Sequence, residues 1–246
     1  MAPKGCHLLR ADSRVIERDG WYQVITPSDP TPSSNEVLFS EIDDRIDEVI
    51  DETIAQYREL EVAFKWCVGP WSRPGDLGER LSKRGFIHWY ARGMVCATSL
   101  GLGMPAGASV EKVSLDSLDL FLETSARGWE LPPGSTPFKR DTFAGKIAEG
   151  TLQLFIARSQ GEPAGTAGTF IKEDGSGYLV GANVLATHRG RGIYRALLEG
   201  RLAALRELDI DLATTQAREH TSAPMLEHLG FDTVFRMALY QFNPRA

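Results

Sequence analysis

Between residues 151 and 208 the hydrophobic pattern changes period once, and that change fixes most of what the chain can build. Three segments of strand character come first, TLQLFIARS, EPAGTAGTFIKE and GYLVGANVLA, with the turn DGSG joining the second to the third. At THRGRGIYRALL, residues 187–198, the period becomes helical: Ile193, Ala196, Leu197, Gly200, Ala204 and Leu208 share one face of a helix from about residue 190 to 208. Strand, helix and strand then follow in DLATTQA, SAPMLEHLG and FDTVFRMALYQF. Strands that must bury a face and helices that must bury a stripe satisfy each other in layers, so an α/β chain is predicted. The junction itself sets two glycines and two arginines in residues 189–192, which raises the question of a bound anion.

The closing pattern occurs twice. Leu81, Gly85 and Phe86 repeat the spacing of Leu226, Gly230 and Phe231, each set lying after a strand and a short helix and before a long amphipathic strand. In the first copy the strand is VAFKWCV, the helix PGDLGERLSKRG, with Pro at its start and Gly at its end, and the long strand FIHWYARGMVCA. Ahead of them, Ile42, Ile46, Val49, Ile50, Thr53, Ile54 and Tyr57 predict a helix whose other faces carry Asp43, Asp44, Asp47, Glu48, Asp51 and Glu52, a solvated acidic face or a lure for a cation. TPSDPTPSSN, residues 26–35, predicts an irregular connection or a disordered arm. The repeat implies an internal duplication with its boundary at the glycine-rich SLGLGMPAGAS, giving halves 1–108 and 109–246. The second half opens with VEKVSLDSLDLFLETSARGW, a loop ELPPGSTP and a short helical segment FKRDTFAGKIAEG.

A net charge of −6 over 246 residues argues against a general attraction to nucleic acid or anionic lipid, so any anion site is local and the expected partner is a small molecule. Cys6, Cys67 and Cys96 form neither a CxxC pair nor a regular Cys/His spacing, so reduced thiols are expected and no metal site is indicated. No run is apolar for long enough to serve as a signal core or a membrane span, and the expectation is a cytoplasmic protein, monomer or homodimer.

Three phosphate-binding designs place glycines where a strand meets a helix. A P-loop needs lysine and then Ser or Thr after its last glycine, whereas Ile193 and Tyr194 follow Gly192. A dinucleotide fingerprint needs a third glycine where Arg195 stands. The remaining design fits: THRGRGIYRALL resembles the acyl-CoA-binding turn of the GCN5-related N-acetyltransferase (GNAT) family, Arg or Gln, two residues, Gly, one residue, Gly or Ala, with Arg189 and Gly192 in place and Tyr194 where a small residue is usual. The order of strands and helices around it, and SAPMLEHLGF, resemble that family too, across roughly residues 110–242. The resemblance implies a mixed, mostly antiparallel sheet flanked by helices, in two tandem GNAT-like halves of which the first is degenerate.

It also implies acetyl-CoA as co-substrate, held by the backbone and side chains of Arg189, Gly190, Arg191, Gly192, Ile193 and Tyr194. The physical reason is plain: Gly190 and Gly192 allow N–H groups to converge, the helix start adds its positive dipole end, and one of the two arginines suffices for charge. The strand before the turn, through the Val184, Leu185 and Ala186 backbone, is expected to contact the pantetheine arm and the thioester carbonyl. Asn183 cannot act as a base but can position a water. Where many family members carry a proton-donating tyrosine, this chain has Leu226, so Glu219 or His220 is expected to protonate the leaving thiolate, with Tyr178, His188 and Tyr240 as weaker candidates. Trp129, Phe138 and Phe143 are candidates to line an acceptor pocket, and Trp89 and Tyr90 to contribute from the first half. The activity implied is transfer of an acetyl or short acyl group to a small-molecule amine; the alternative is a non-catalytic acyl-CoA-binding protein.

Overall fold

A computed structural model describes residues 3–42, 44–131 and 140–245. Phe138 and most of the ELPPGSTP loop lie outside the described residues. In chain order the elements are β1 (Arg14–Arg18), β2 (Trp21–Ile25), β3 (Glu36–Ser40), α1 (Ile46–Glu59), β4 (Phe64–Val68), α2 (Leu77–Lys83), β5 (Ile87–Ala97), β6 (Ala108–Lys112), α3 (Leu118–Gly128), α4 (Arg140–Ala148), β7 (Leu152–Ser159), β8 (Glu162–Ile171), β9 (Ser176–Val184), α5 (Ile193–Arg206), β10 (Leu212–Arg218), α6 (Ser222–His228) and β11 (Asp232–Phe242). They divide into two compact units. One comprises Met1–Met94, Gln216–Glu227 and Thr233–Ala246, the other Val95–Thr215 and His228–Asp232. The cut expected near residue 108 thus falls within the second unit, at the start of β6, and two C-terminal segments belong to the first.

In the first unit the strand order is β1-β2-β3-β4-β11-β5, with β11 antiparallel to β4 from Ala238 opposite Val68 to Phe242 opposite Phe64. The alternation of VAFKWCV is what the structure uses: Phe64 and Trp66 turn to one face and bury there with Ile46, Ile50, Ile54 and Tyr57 of α1 and Leu77 and Leu81 of α2. Much of the acidic face of α1 is occupied by ion pairs to α2. Arg84 binds Asp51 at 2.6 Å and Asp47 at 3.0 Å, and Arg80 also reaches Asp47. The segment 26–35 is an ordered connection rather than an arm. Asn35 is fully buried, accepting from the Thr26 N–H at 2.8 Å and donating to the carbonyls of Asp29 and Thr31 at 2.8 and 3.1 Å, which satisfies a stretch of backbone that has no ladder partner.

In the second unit the order is β10-β9-β8-β7-β6. The three predicted strands are β7, β8 and β9, joined antiparallel, and β10 runs parallel to β9. Helix α5 covers one face through Ile193, Leu197 and Ala204, packed on Phe155, Ala157, Ala164 and Ala167. The two LxxxGF copies adopt one local conformation: Leu81 and Leu226 are buried, Gly85 and Gly230 have φ of +85° and +96°, and Phe86 and Phe231 are buried just before 11-residue strands.

Candidate active site

Two irregularities in the second unit make the site. The first is a bulge: Thr166 pairs with Asn183 and Gly168 with Val180, so Ala167 faces two residues of β9, and Gly181 at φ +62° takes up the extra one. The second is a separation. Parallel pairing of β10 with β9 runs from Leu212 and Ser176 only to Thr215 and Leu179, which leaves residues 180–184 of β9 without a ladder partner on that side among the described residues. Leu185 donates its N–H to the Ala164 carbonyl at 2.9 Å. Because successive residues of a strand point their polar groups to opposite sides, the N–H and C=O of Val184 face away from β8, toward the gap. Of the three residues expected to offer free backbone, Val184 does so, whereas the Leu185 N–H is engaged; Ala186 opens a short 3-10 turn, Ala186–His188.

The glycine turn follows. Gly190 and Gly192 have φ of +75° and +77°, and Gly192 caps α5. The first bond of that helix is from the Ala196 N–H to the Gly192 carbonyl, so the N–H groups of Ile193, Tyr194 and Arg195 have no acceptor within the helix and point out of its start. These are the donors and the dipole end that a pyrophosphate needs. Arg191 is exposed, with no ion pair among the described residues. Arg189 is also exposed. It reaches back to the Val184 carbonyl at 3.4 Å and forms an ion pair of 3.0 Å with Glu130, just past α3.

The tyrosine does not crowd the turn. Residue 201 is seven positions on, on the same face of α5, and the Tyr194 hydroxyl is directed along the helix to the Arg201 guanidinium, while burial raises its pKa. Arg201 is buried, donates to the carbonyls of Leu197 (3.1 Å) and Gly168 (3.5 Å), and is itself lowered by burial. A buried arginine on an apolar helix face is the signal by which sequence reading could have placed Tyr194.

Asn183 lies at the bulge with 7% exposure, and neither Oδ1 nor Nδ2 has a hydrogen-bond partner among the described residues. A Cβ added to Gly128, near the end of α3, would overlap its Oδ1 and lie 2.5 Å from its Cγ. Glycine at 128 is what lets the amide lie under α3. Of the proposed pocket aromatics, Trp129 is half exposed beside it, whereas Phe143 is buried edge-on against Phe121 at 5.8 Å and belongs to the α3–α4 core.

The leading acid candidates, Glu219 and His220, lie in the first unit. Glu219 is buried and paired with Arg92 at 2.8 Å and Arg236 at 2.6 Å, and these two guanidinium groups hold its carboxyl down at about 2, so it carries no proton to give near neutral pH. Neither arginine figured in the sequence reading, because they come from β5 and β11, far from Glu219 along the chain. His220 is exposed. Leu226 is buried. Ser222, the first residue of α6, accepts the Arg218 N–H at 2.9 Å. Tyr178 is buried, His188 has Nδ1 2.9 Å from the Thr187 hydroxyl, and Tyr240 stacks on His88 at 5.0 Å between centroids.

No helix among the described residues is long and apolar enough to cross a membrane, and no disulfide joins the three cysteines among them. Residues 119–231 match the family model described as Acetyltransferase (GNAT) family. No curated protein matches the sequence. Among solved structures, the chain is similar to a GCN5-related N-acetyltransferase from Kribbella flavida, with 14% identity, 94% of this chain and 89% of that one covered and a TM-score of 0.69. It is similar also to a GCN5-related N-acetyltransferase from Sphaerobacter thermophilus, with 17% identity, coverage of 92% and 78% and a TM-score of 0.67. A tandem GNAT protein from the clavulanic acid biosynthesis pathway shares the fold at 14% identity, 91% and 78% coverage and a TM-score of 0.59. The bulged and separated strand, the glycine turn and the helix it starts all lie inside the stretch, residues 119–231, that matches the acetyltransferase (GNAT) family model.

Proposed function

We propose that the protein is an acetyl-CoA-dependent N-acyltransferase that moves an acetyl or short acyl group to the amine of a small molecule by direct attack on the thioester. The observation that carries this reading is the pairing of two features in one unit: a helix start with three N–H groups that have no acceptor within the helix, behind a positive-φ glycine turn, and a strand just before it whose Val184 backbone faces a gap in the sheet. In this reading Gly190, Gly192, Ile193 and Tyr194 hold the pyrophosphate through their backbone, with charge from Arg189 or Arg191. Acyl-CoA supplies the activated acyl group. The Val184 N–H stabilises negative charge as it builds on the carbonyl oxygen, and Asn183 meets the acceptor side. The amine loses a proton on attack and the departing sulfur gains one. Glu219 is held ionised, and solvent supplies the latter. Arg92 and Arg236 position Glu219 and do not themselves transfer protons.

Calorimetry with acetyl-CoA tests the binding step: a dissociation constant in the micromolar range is expected, and Arg189→Glu weakens it at least tenfold, since reversal removes attraction and adds repulsion. No binding of any short acyl-CoA would refute it. Release of free thiol across an amine panel tests the chemistry. Binding without turnover on every amine would favour a non-catalytic acyl-CoA-binding protein, a reading motivated by Leu226 and by the ionised Glu219.

A further inference from the structure

The Asn183 carboxamide is more than nine-tenths buried, and both its polar atoms are without a partner among the described residues. Directly opposite on β8, Thr166 is fully buried and its hydroxyl is likewise unpartnered. Residues in register across a pair of strands share a face of the sheet. That face is the one under α3: Gly128 of α3 lies against the Asn183 side chain, whereas the neighbouring Gly165 faces Ile193 of α5 on the other side. Thr124, Ser125 and Gly128, the buried positions of α3 near this end, are small and uncharged. Buried polar groups are almost always paired, so a threonine and an asparagine left unpaired side by side under α3 mark a position for a hydrogen-bonding group.

The chemistry of the niche selects its occupant. An ammonium satisfies Oδ1 and leaves Nδ2 without an acceptor; a carboxylate satisfies Nδ2 and the Thr166 hydroxyl but sets its charge against Oδ1; either brings a full charge into a buried, uncharged site. A carboxamide offers a donor and an acceptor along one edge, the complement of the Asn183 amide, with Thr166 left to give or accept a third bond. We propose that Asn183 and Thr166 form a subsite for a neutral carboxamide carried next to the amine of the acceptor, so that the preferred acceptor is an amino amide rather than a plain alkylamine or an amino acid. This rests on the reading of the second unit as an acyltransferase site.

The test uses three molecules of one shape: glycinamide, isobutylamine and glycine. In the full-length ¹⁵N-labelled protein the side-chain amide signals of Asn183 are identified by their loss in Asn183→Leu. Glycinamide is expected to shift them and to bind at least tenfold more tightly than isobutylamine or glycine, with and without coenzyme A present. In Asn183→Leu, and in Thr166→Val to a smaller degree, that ratio falls toward one, while the shifts that acetyl-CoA induces at the Gly190 and Gly192 amides persist. Equal binding of the three amines, no shift at Asn183 with any of them, or an unchanged ratio in the variants would overturn the proposal. Should Asn183→Leu fail to fold, the wild-type shifts and Thr166→Val still decide it. Failure of the acyltransferase reading shows separately, as absent acetyl-CoA shifts at the glycine turn, because the amine titrations do not depend on turnover.

Discussion

Alanine at each glycine of the turn separates backbone strain from loss of ligand contacts. Gly190 and Gly192 have nearly the same φ, +75° and +77°, so alanine at either meets the same left-handed penalty of about 1–2 kcal/mol. Their surroundings differ. A Cβ at Gly190 meets nothing within 4 Å, whereas one at Gly192 lies 3.0 Å from Cγ and 3.2 Å from Cβ of Pro105, a ring that cannot rotate aside. Crowding of that kind adds about 1 kcal/mol, so Gly192→Ala should be the less stable of the two. In a chain of this size each kcal/mol lowers Tm by about 2–4 °C. The effect on acetyl-CoA is larger than strain alone would give. If alanine relaxes to negative φ the peptide turns over, and a lost hydrogen bond to a charged phosphate is worth about 1.5–3 kcal/mol, roughly tenfold or more in affinity. Gly107→Ala supplies the control in the same unit: its φ is +73° and its Cβ would only touch Gln160 at 4.0 Å, so it should lose comparable stability and no affinity. Urea denaturation and calorimetry on the three variants decide the matter. Gly192→Ala binding acetyl-CoA within twofold of the parent protein, or Gly107→Ala weakening it as much, would refute the assignment of the turn.

In the proposed reading Glu130 competes with a phosphate for Arg189 through an exposed pair worth about 0.2–1 kcal/mol, so Glu130→Gln should tighten acetyl-CoA up to about fivefold in calorimetry, an effect that salt erases. Gly128→Ala forces the Asn183 amide out from under α3, and should cost about 1–3 kcal/mol in urea denaturation and raise KM for the amine with little change in acetyl-CoA affinity. Glu219 is depressed to about 2 in the folded protein, so its pairs with Arg92 and Arg236 stabilise fully above the usual carboxylate range and are lost as pH falls from about 4.5 to 2. Urea midpoints should therefore drop across that window, and Glu219→Gln should drop less steeply, the remaining slope coming in part from Glu36, which Lys65 likewise holds at about 2.

What could be read from the sequence was whatever the chain states within about ten residues. The strands β7 to β9 announce themselves as apolar runs bounded by turn residues, buried on both faces for much of their length, helix α5 because it buries one face, and the glycine turn because its φ values exclude most other residues. The first three strands went unread. β1 is almost wholly exposed, so nothing in it alternates, and the order in residues 26–35 comes from Asn35 bonding three backbone groups rather than from any periodicity. The site divides along the same line. Arg189, Gly190 and Gly192 are local, but the gap beside Val184 depends on where β10 stops pairing with β9, and a parallel register is invisible in either strand alone.

Roles depend on distance in the same way. Glu219 reads as an acid until two arginines, 127 and 17 positions away, fix it as an anion, and Tyr194 reads as an obstruction until Arg201 turns it along the helix. Asn183 is the reverse case: its amide has no hydrogen-bond partner among the described residues, and it lies against Gly128, where a Cβ would displace it. A buried amide with no partner costs stability that folding alone gives no reason to bear. Among the buried polar groups left without a partner, Asn183 and Thr166 are the pair in register beside Val184, which the proposed reading sets against the thioester, and there a substrate has most to offer.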